Sequence, residues 1–350
     1  MMNLHLHHCR IFALMAIVVV AHAVTMELAP GSIVTTEKTI DNAWIESETT
    51  DGVKFFLGDV KSDKKVESTR KPGQYQKVIY TGNGEDLNFM KAENLYGKGK
   101  FDESIEHYKK ATVSARYHWE VEQAYCRAAE CLARSADKNA EVLSLLKEYV
   151  TRYPKNIHMA EVVLLRARLS LAAGDFAGAT KDYQEMAKKA ALWSPTAELD
   201  GMLGQRTVFV AQKKFTESVA LLTPYLATLK PDENPDSFGK IALAIASDLA
   251  ADGKDAEFMA LLKKIYLAPI SSEAQARARL QYARFLAKGK TTESAIAAFD
   301  QAAIAGLLGG DDETRTGAAK LAHELVTRIQ GDKTLSDEVR KEYRTYASLF

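Results

Sequence analysis

The chain has 350 residues, 47% of them hydrophobic and 26% charged, and its 46 basic residues are balanced by 46 acidic ones. That length buries an adequate core without staples, while a zero charge sum with no basic stripe argues against a nucleic-acid binder. Three cysteines, Cys9, Cys126 and Cys131, are too few for a disulfide framework or a structural zinc site.

Residues 1–10 carry one Arg and no acid, residues 11–20 are apolar, and Ala21-His22-Ala23 is a small-x-small site. This pattern predicts a secretory signal peptide over 1–23. A membrane-spanning helix needs about 20 apolar residues, so the run is short for one, and an uncleaved anchor over 11–26 is the alternative. No Cys follows the small residues, so a lipoprotein is not indicated. His5, His7 and His8 belong to the leader and are not read as a metal site. Removing Arg10 with the leader leaves 45 basic against 46 acidic residues.

Residues 24–80 have a different texture. AWIESET (43–49) and VKFFL (53–57) flank Thr50-Asp51-Gly52, which predicts a β-hairpin, and KVEST (65–69) and YQKVIY (75–80) complete a small sheet or barrel. The alternative is a loosely ordered linker with one hairpin docked on the first repeat. Lys71-Pro72-Gly73 and Thr81-Gly82-Asn83-Gly84 punctuate the segment, the second marking the expected boundary of the β-rich module.

From residue 85 to 350 apolar residues recur every three or four positions and breakers fall between runs, as in AEVVLLRARLSLAAG (160–174) and AQARARLQYARFLAKG (274–289). The whole region is expected to be helical. A small or apolar residue paired with a bulky one four positions on recurs as Ser104/Tyr108, Val142/Leu146, Ala179/Tyr183, Ser218/Leu222, Phe258/Leu262 and Ala295/Phe299, at intervals of 38, 37, 39, 40 and 37 residues. Such a period means stacked helical hairpins, each unable to bury its apolar face alone. Residues 311–350, with a charged final helix, suit a terminal cap. Phe101, Tyr108, Phe176, Tyr183, Phe215 and Phe299 are read as core, and Gly99 and Gly174 as turn glycines.

The segment AENLYGKGKFDESIEHYKKA (92–111), with Ala92, Gly99, Phe101, Ser104, Tyr108 and Ala111, resembles the tetratricopeptide repeat (TPR) family, and Ala167, Gly174, Phe176, Ala179 and Tyr183 repeat the pattern. Pro154 and Pro269 fall where that family closes its second helix. The spacing exceeds the family's usual ~34 residues, and the unit over 238–267 matches poorly. The resemblance implies a mainly α fold, a right-handed α-solenoid of about seven helical hairpins over 85–350, preceded by a small N-terminal β-module that looks SH3-like. It also implies that residues following the small positions of each first helix face a concave groove. Those are Glu93, Glu130, Arg168 and Arg284, with Tyr96 and Arg134 one turn further along the first two helices.

Catalytic motifs such as HExxH, CxxC, GxSxG or a Walker loop are missing around His107, His118, His158 and His323. The expected function is a non-catalytic scaffold of the bacterial periplasm or cell envelope, binding a protein or peptide in that groove, with no cofactor, no metal and no nucleic acid. Membrane association would come only through a partner or an uncleaved anchor. The alternatives are a secreted or N-terminally anchored protein, a structural component of an envelope assembly or cell-division complex, and an enzyme subunit.

Overall fold

The computed structural model describes residues 26–62, 64–81, 86–134, 138–194 and 196–348. The expected leader and residues 82–85 lie outside them. Five strands come first: β1 (Ala29–Val34), β2 (Thr39–Thr49), β3 (Gly52–Leu57), β4 (Val66–Arg70) and β5 (Lys77–Tyr80). Helices α1 (Leu87–Gly97), α2 (Phe101–Ser114), α3 (His118–Leu132), α4 (Asn139–Arg152), α5 (Met159–Ala172), α6 (Phe176–Trp193) and α7 (Ala197–Ala211) follow. Then come α8 (Phe215–Thr228), α9 (Pro235–Ala251), α10 (Asp255–Leu267), α11 (Ser272–Leu286), α12 (Thr292–Leu308), α13 (Asp312–Gly331) and α14 (Asp337–Ala347). Two compact units divide at residues 128 and 129.

In the first unit the strands form an antiparallel sheet of order β4-β3-β2-β1-β5. The expected hairpin is β2–β3, closed by Thr49 opposite Gly52. Hydrogen-bonded pairing leaves the sheet open at β4 and β5. Strand β1 was not legible in advance because it contains Pro30 and Gly31, which depress strand propensity. Gly31 is there because a Cβ would stand 2.7 Å from the Ile79 carbonyl oxygen. The apolar face of the sheet, Ala29, Ile33, Ala43, Ile45, Val53 and Phe55, is completed by Tyr117, with Trp119 packed against it.

A register shift between Ile45 and Ser47 changes which face the rest of β2 presents, since one extra residue moves every later side chain across the sheet. Glu48, rather than Ser47, is therefore buried. The Tyr80 hydroxyl donates to Glu48 Oε2 at 3.1 Å and lies 3.3 Å from His118 Nε2. Since Tyr80 has one proton to give, His118 supplies its own from Nε2, which makes it the neutral Nε2–H tautomer. Its Nδ1 is buried with no hydrogen-bond partner among the described residues. Burial lowers the imidazole pKa to about 4, and burial beside Glu48 raises the Tyr75 hydroxyl to about 12. Tyr80 also stacks on Trp119, with ring centroids 5.2 Å apart.

In the second unit, successive helices pair as α5–α6, α7–α8, α9–α10, α11–α12 and α13–α14, while α5, α7, α9 and α11 each touch the next odd-numbered helix. That alternation is an α-solenoid. The repeat pairs read from the sequence fall on α2, α4, α6, α8, α10 and α12, and all twelve residues are buried. Tyr108, Tyr183 and Phe299 are core, whereas Phe101, Phe176 and Phe215 are half-buried. The unit over 238–267, which matched the repeat pattern poorly, forms the hairpin α9–α10 and belongs to a large apolar cluster with Phe238, Ile241, Ile245, Leu249, Phe258 and Leu262. Phe258 stands there at the place held by Ser104, Ala179, Ser218 and Ala295 in other units, so pattern matching undervalued it. Between α6 and α7 the approach is so close that a Cβ on Gly204 would lie 2.0 Å from the Tyr183 ring.

One turn recurs between the hairpin helices. Gly99, Gly174 and Gly253 have φ of +74°, +78° and +73°, and Lys213 takes the same place at +59°. In each case the next residue's N–H closes on a carbonyl five residues back at 2.9 Å: Lys100 on Leu95, Asp175 on Ser170, Lys214 on Phe209 and Lys254 on Leu249. This is the Schellman closure, which favours glycine because a Cβ is strained at positive φ. Lys213→Gly is therefore expected to stabilise the chain by up to about 1 kcal/mol, read as a raised urea midpoint. A lowered midpoint would show that the lysine side chain contributes more than the backbone strain costs.

Candidate functional site

Three depressions in the second unit are bordered by its odd-numbered helices. The first, about 330 Å³, lies among the N-terminal turns of α5 and α7 and the end of α6, and is lined by Ala160, Glu161, Leu164, Met186, Trp193 and Asp200. The second, about 310 Å³, lies between α9 and α11 with Asp236, Lys240, Leu243, Glu273 and Arg277 on its walls. The third, about 270 Å³, lies between α11 and α13, lined by Arg277, Leu280, Gln281, Arg284, Asp311 and Glu313. Arg277 borders both of the last two.

Helical spacing explains the linings. On α5, residues 160, 161, 164 and 168 form one stripe, and on α11 residues 273, 277, 281 and 284 form another, because positions three and four apart share a face. Small residues at Ala167 and Ala283, both fully buried, stand beside these stripes and let the neighbouring helices approach. Arg277 is held by Glu273 at 2.8 Å and Asp311 at 2.5 Å. Asp311 caps α13 by accepting from the Thr314 N–H at 2.7 Å. Hydrogen bonds from Thr314 and then Arg277 keep its carboxyl near pKa 2. Gln281 Oε1 is buried without a hydrogen-bond partner among the described residues.

The six residues expected to line a groove separate into distinct environments. Arg168 and Arg284 are exposed, and both fall on the α5 and α11 stripes, Arg284 on the wall of the third depression. Glu93 is half-buried in the first unit, where it accepts from the Tyr108 hydroxyl at 2.6 Å and from Gln123 at 3.4 Å. Tyr96 sits edge-on to Phe101 and accepts from Arg127 at 2.9 Å. These two therefore carry internal contacts of the first unit. Glu130 is exposed on α3, and Arg134 is exposed just beyond its end. Sequence reasoning passed over Leu164, Trp193, Asp200, Arg277 and Gln281. The signal was present, since Arg277, Gln281 and Arg284 stand at i, i+4 and i+7, but a charged residue on a helix reads first as solvated surface.

Two buried ion pairs stiffen this unit. Arg166 donates to both Asp182 oxygens at 2.8 and 2.6 Å, joining α5 to α6. Arg206 does the same to Asp248 at 2.9 and 2.6 Å, joining α7 to α9, and Ser218 of α8 donates to Asp248 at 2.5 Å. Neither pair faces the depressions. No helix among the described residues is long and apolar enough to cross a membrane.

Comparison with known families and with curated proteins gives no match. Among solved structures, a putative kinesin light chain with nearly identical TPR-like repeats from Podosopora anserina is 18% identical, with TM-score 0.40, covering 51% of this chain and 91% of that one. The C-terminal part of a TPR repeat-containing protein from Cytophaga hutchinsonii is 14% identical, with TM-score 0.42, covering 70% and 97%. A tetratricopeptide repeat protein from Parabacteroides merdae is 16% identical, with TM-score 0.31, covering 67% and 96%. The α-solenoid assignment rests on the helix pairing itself, and the chain is similar to these tetratricopeptide repeat proteins.

Proposed function

We propose that the chain is a non-catalytic protein-binding scaffold of the bacterial periplasm or cell envelope, taking an extended segment of a protein partner along the odd-numbered helices of the second unit. The observation that supports this most is the series of three depressions bordered by the odd-numbered helices. Each has an open mouth and charged residues on its walls, which suits side chains of an extended segment taken in turn. Arg277, which borders two of them, is held in ion pairs with Glu273 and Asp311. Export is supported by the leader pattern in residues 1–23.

The test is affinity capture from an envelope extract, followed by titration of the purified partner. Arg168→Glu combined with Arg284→Glu is expected to weaken binding at least about tenfold, the equivalent of roughly 1.4 kcal/mol, with the helical circular dichroism unchanged. Undiminished affinity would move the contact away from this face.

A further inference from the structure

The depression among α5, α6 and α7 differs from the other two in its floor. Leu164, Met186, Trp193 and Ala160 supply an apolar base, and Met186 is only 1% exposed. The apolar character continues outward, since Ile157 on the wall is 36% exposed. An exposed large aliphatic beside an apolar concavity suits a contact surface. A volume of about 330 Å³ is at the small end of ligand sites, so it accommodates one bulky side chain and its neighbours' edges better than an enclosed metabolite.

The rim has the opposite chemistry. Asp200, half-buried in the first turn of α7, makes no side-chain ion pair or hydrogen bond among the described residues. Glu161, across the mouth, has a side chain 79% exposed and lies 3.6 Å from His158. Glu198, in the same turn as Asp200, is exposed. Lys189, 5.2 Å over the Trp193 ring, is neutralised by Glu185 at 2.7 Å. An apolar floor under an acidic rim selects a bulky apolar side chain flanked by cations.

Building on the scaffold reading above, we propose that this depression is the anchor site for one Leu, Met or Phe side chain of a partner segment that carries Lys or Arg beside it. The apolar residue gives affinity by leaving water, and the flanking cation gives register by meeting Asp200 and Glu161.

The probe is a random-sequence peptide array read with the full chain. Bound peptides are expected to be enriched in a bulky apolar residue next to Lys or Arg. Ala160→Trp, which fills the depression, is expected to reduce their binding at least about tenfold. Asp200→Lys is expected to shift the enrichment toward Asp and Glu neighbours, and Asp200→Asn, a milder change, to weaken the Lys/Arg preference. Each variant is checked for wild-type helicity and Tm. A bound set without that enrichment, or one unchanged by Ala160→Trp, overturns the anchor while leaving the scaffold intact. An array on which nothing binds selectively contradicts both.

Discussion

Asp248→Ala is expected to destabilise the chain by about 3–5 kcal/mol, because it strands a partly buried guanidinium. The Asp248 side chain is 2% exposed and that of Arg206 is 22% exposed, so little water can replace the two lost bonds and the third from Ser218 Oγ. The low end applies if Arg206 swings outward into its exposed fraction. At roughly 2–4 °C per kcal/mol for a unit of this size, the Tm should fall by about 6–20 °C. A paired replacement, Arg206→Met with Asp248→Leu, removes both charges and is expected to cost much less than Asp248→Ala alone. A single variant within about 1 kcal/mol of wild type would mean that the clamp across α7, α8 and α9 is not a stabilising element.

Acidification is the second large effect. His118 is 6% exposed, and its pKa is lowered from 6.5 to about 4 by burial. The unfolded chain therefore binds a proton at higher pH than the folded one, and stability falls as pH drops from about 6.5 to about 4. Above that window the contribution is fully present. At 1.36 kcal/mol per pKa unit the loss is about 3 kcal/mol, released at the ring that the Tyr80 hydroxyl meets at 3.3 Å. His118→Phe keeps an aromatic ring and removes the titration, so its stability should change far less between pH 7 and pH 4. A wild-type and a variant curve of equal slope across that window would show that another group governs the acid response. Carboxylates such as Asp311 and Asp332, both held near pKa 2, lose their contribution as pH falls from the ordinary carboxylate range toward 2, mostly below the His118 window.

Much of this architecture could be read before any coordinates because repeats advertise themselves twice, once by spacing and once by residue type. Ser104 with Tyr108 and Ala295 with Phe299 are recognisable as buried pairs from chemistry alone, and all land in the core. Gly99 and Gly174 were legible as turn residues for the same reason, whereas Lys213, which holds the same left-handed place, was not, since nothing in a lysine signals positive φ. Buried acids were hidden differently. Asp248 reads as one more charged helix residue until Arg206, 42 positions earlier, is brought beside it, and Glu48 points inward only because of a one-residue shift in β2. Arg168 and Arg284 were named by position and stand exposed on α5 and α11, but the depressions depend on how neighbouring helices meet, which no single helix encodes.

Hydrogen exchange of the full chain, with and without a captured partner, addresses the central reading most directly. Protection gained on α5, α7, α9, α11 and α13, with α6, α8, α10 and α12 little changed outside the last turn of α6, is the result expected of a scaffold that binds along its odd-numbered helices. Protection confined to the even-numbered helices or to the sheet of residues 29–80 would contradict it.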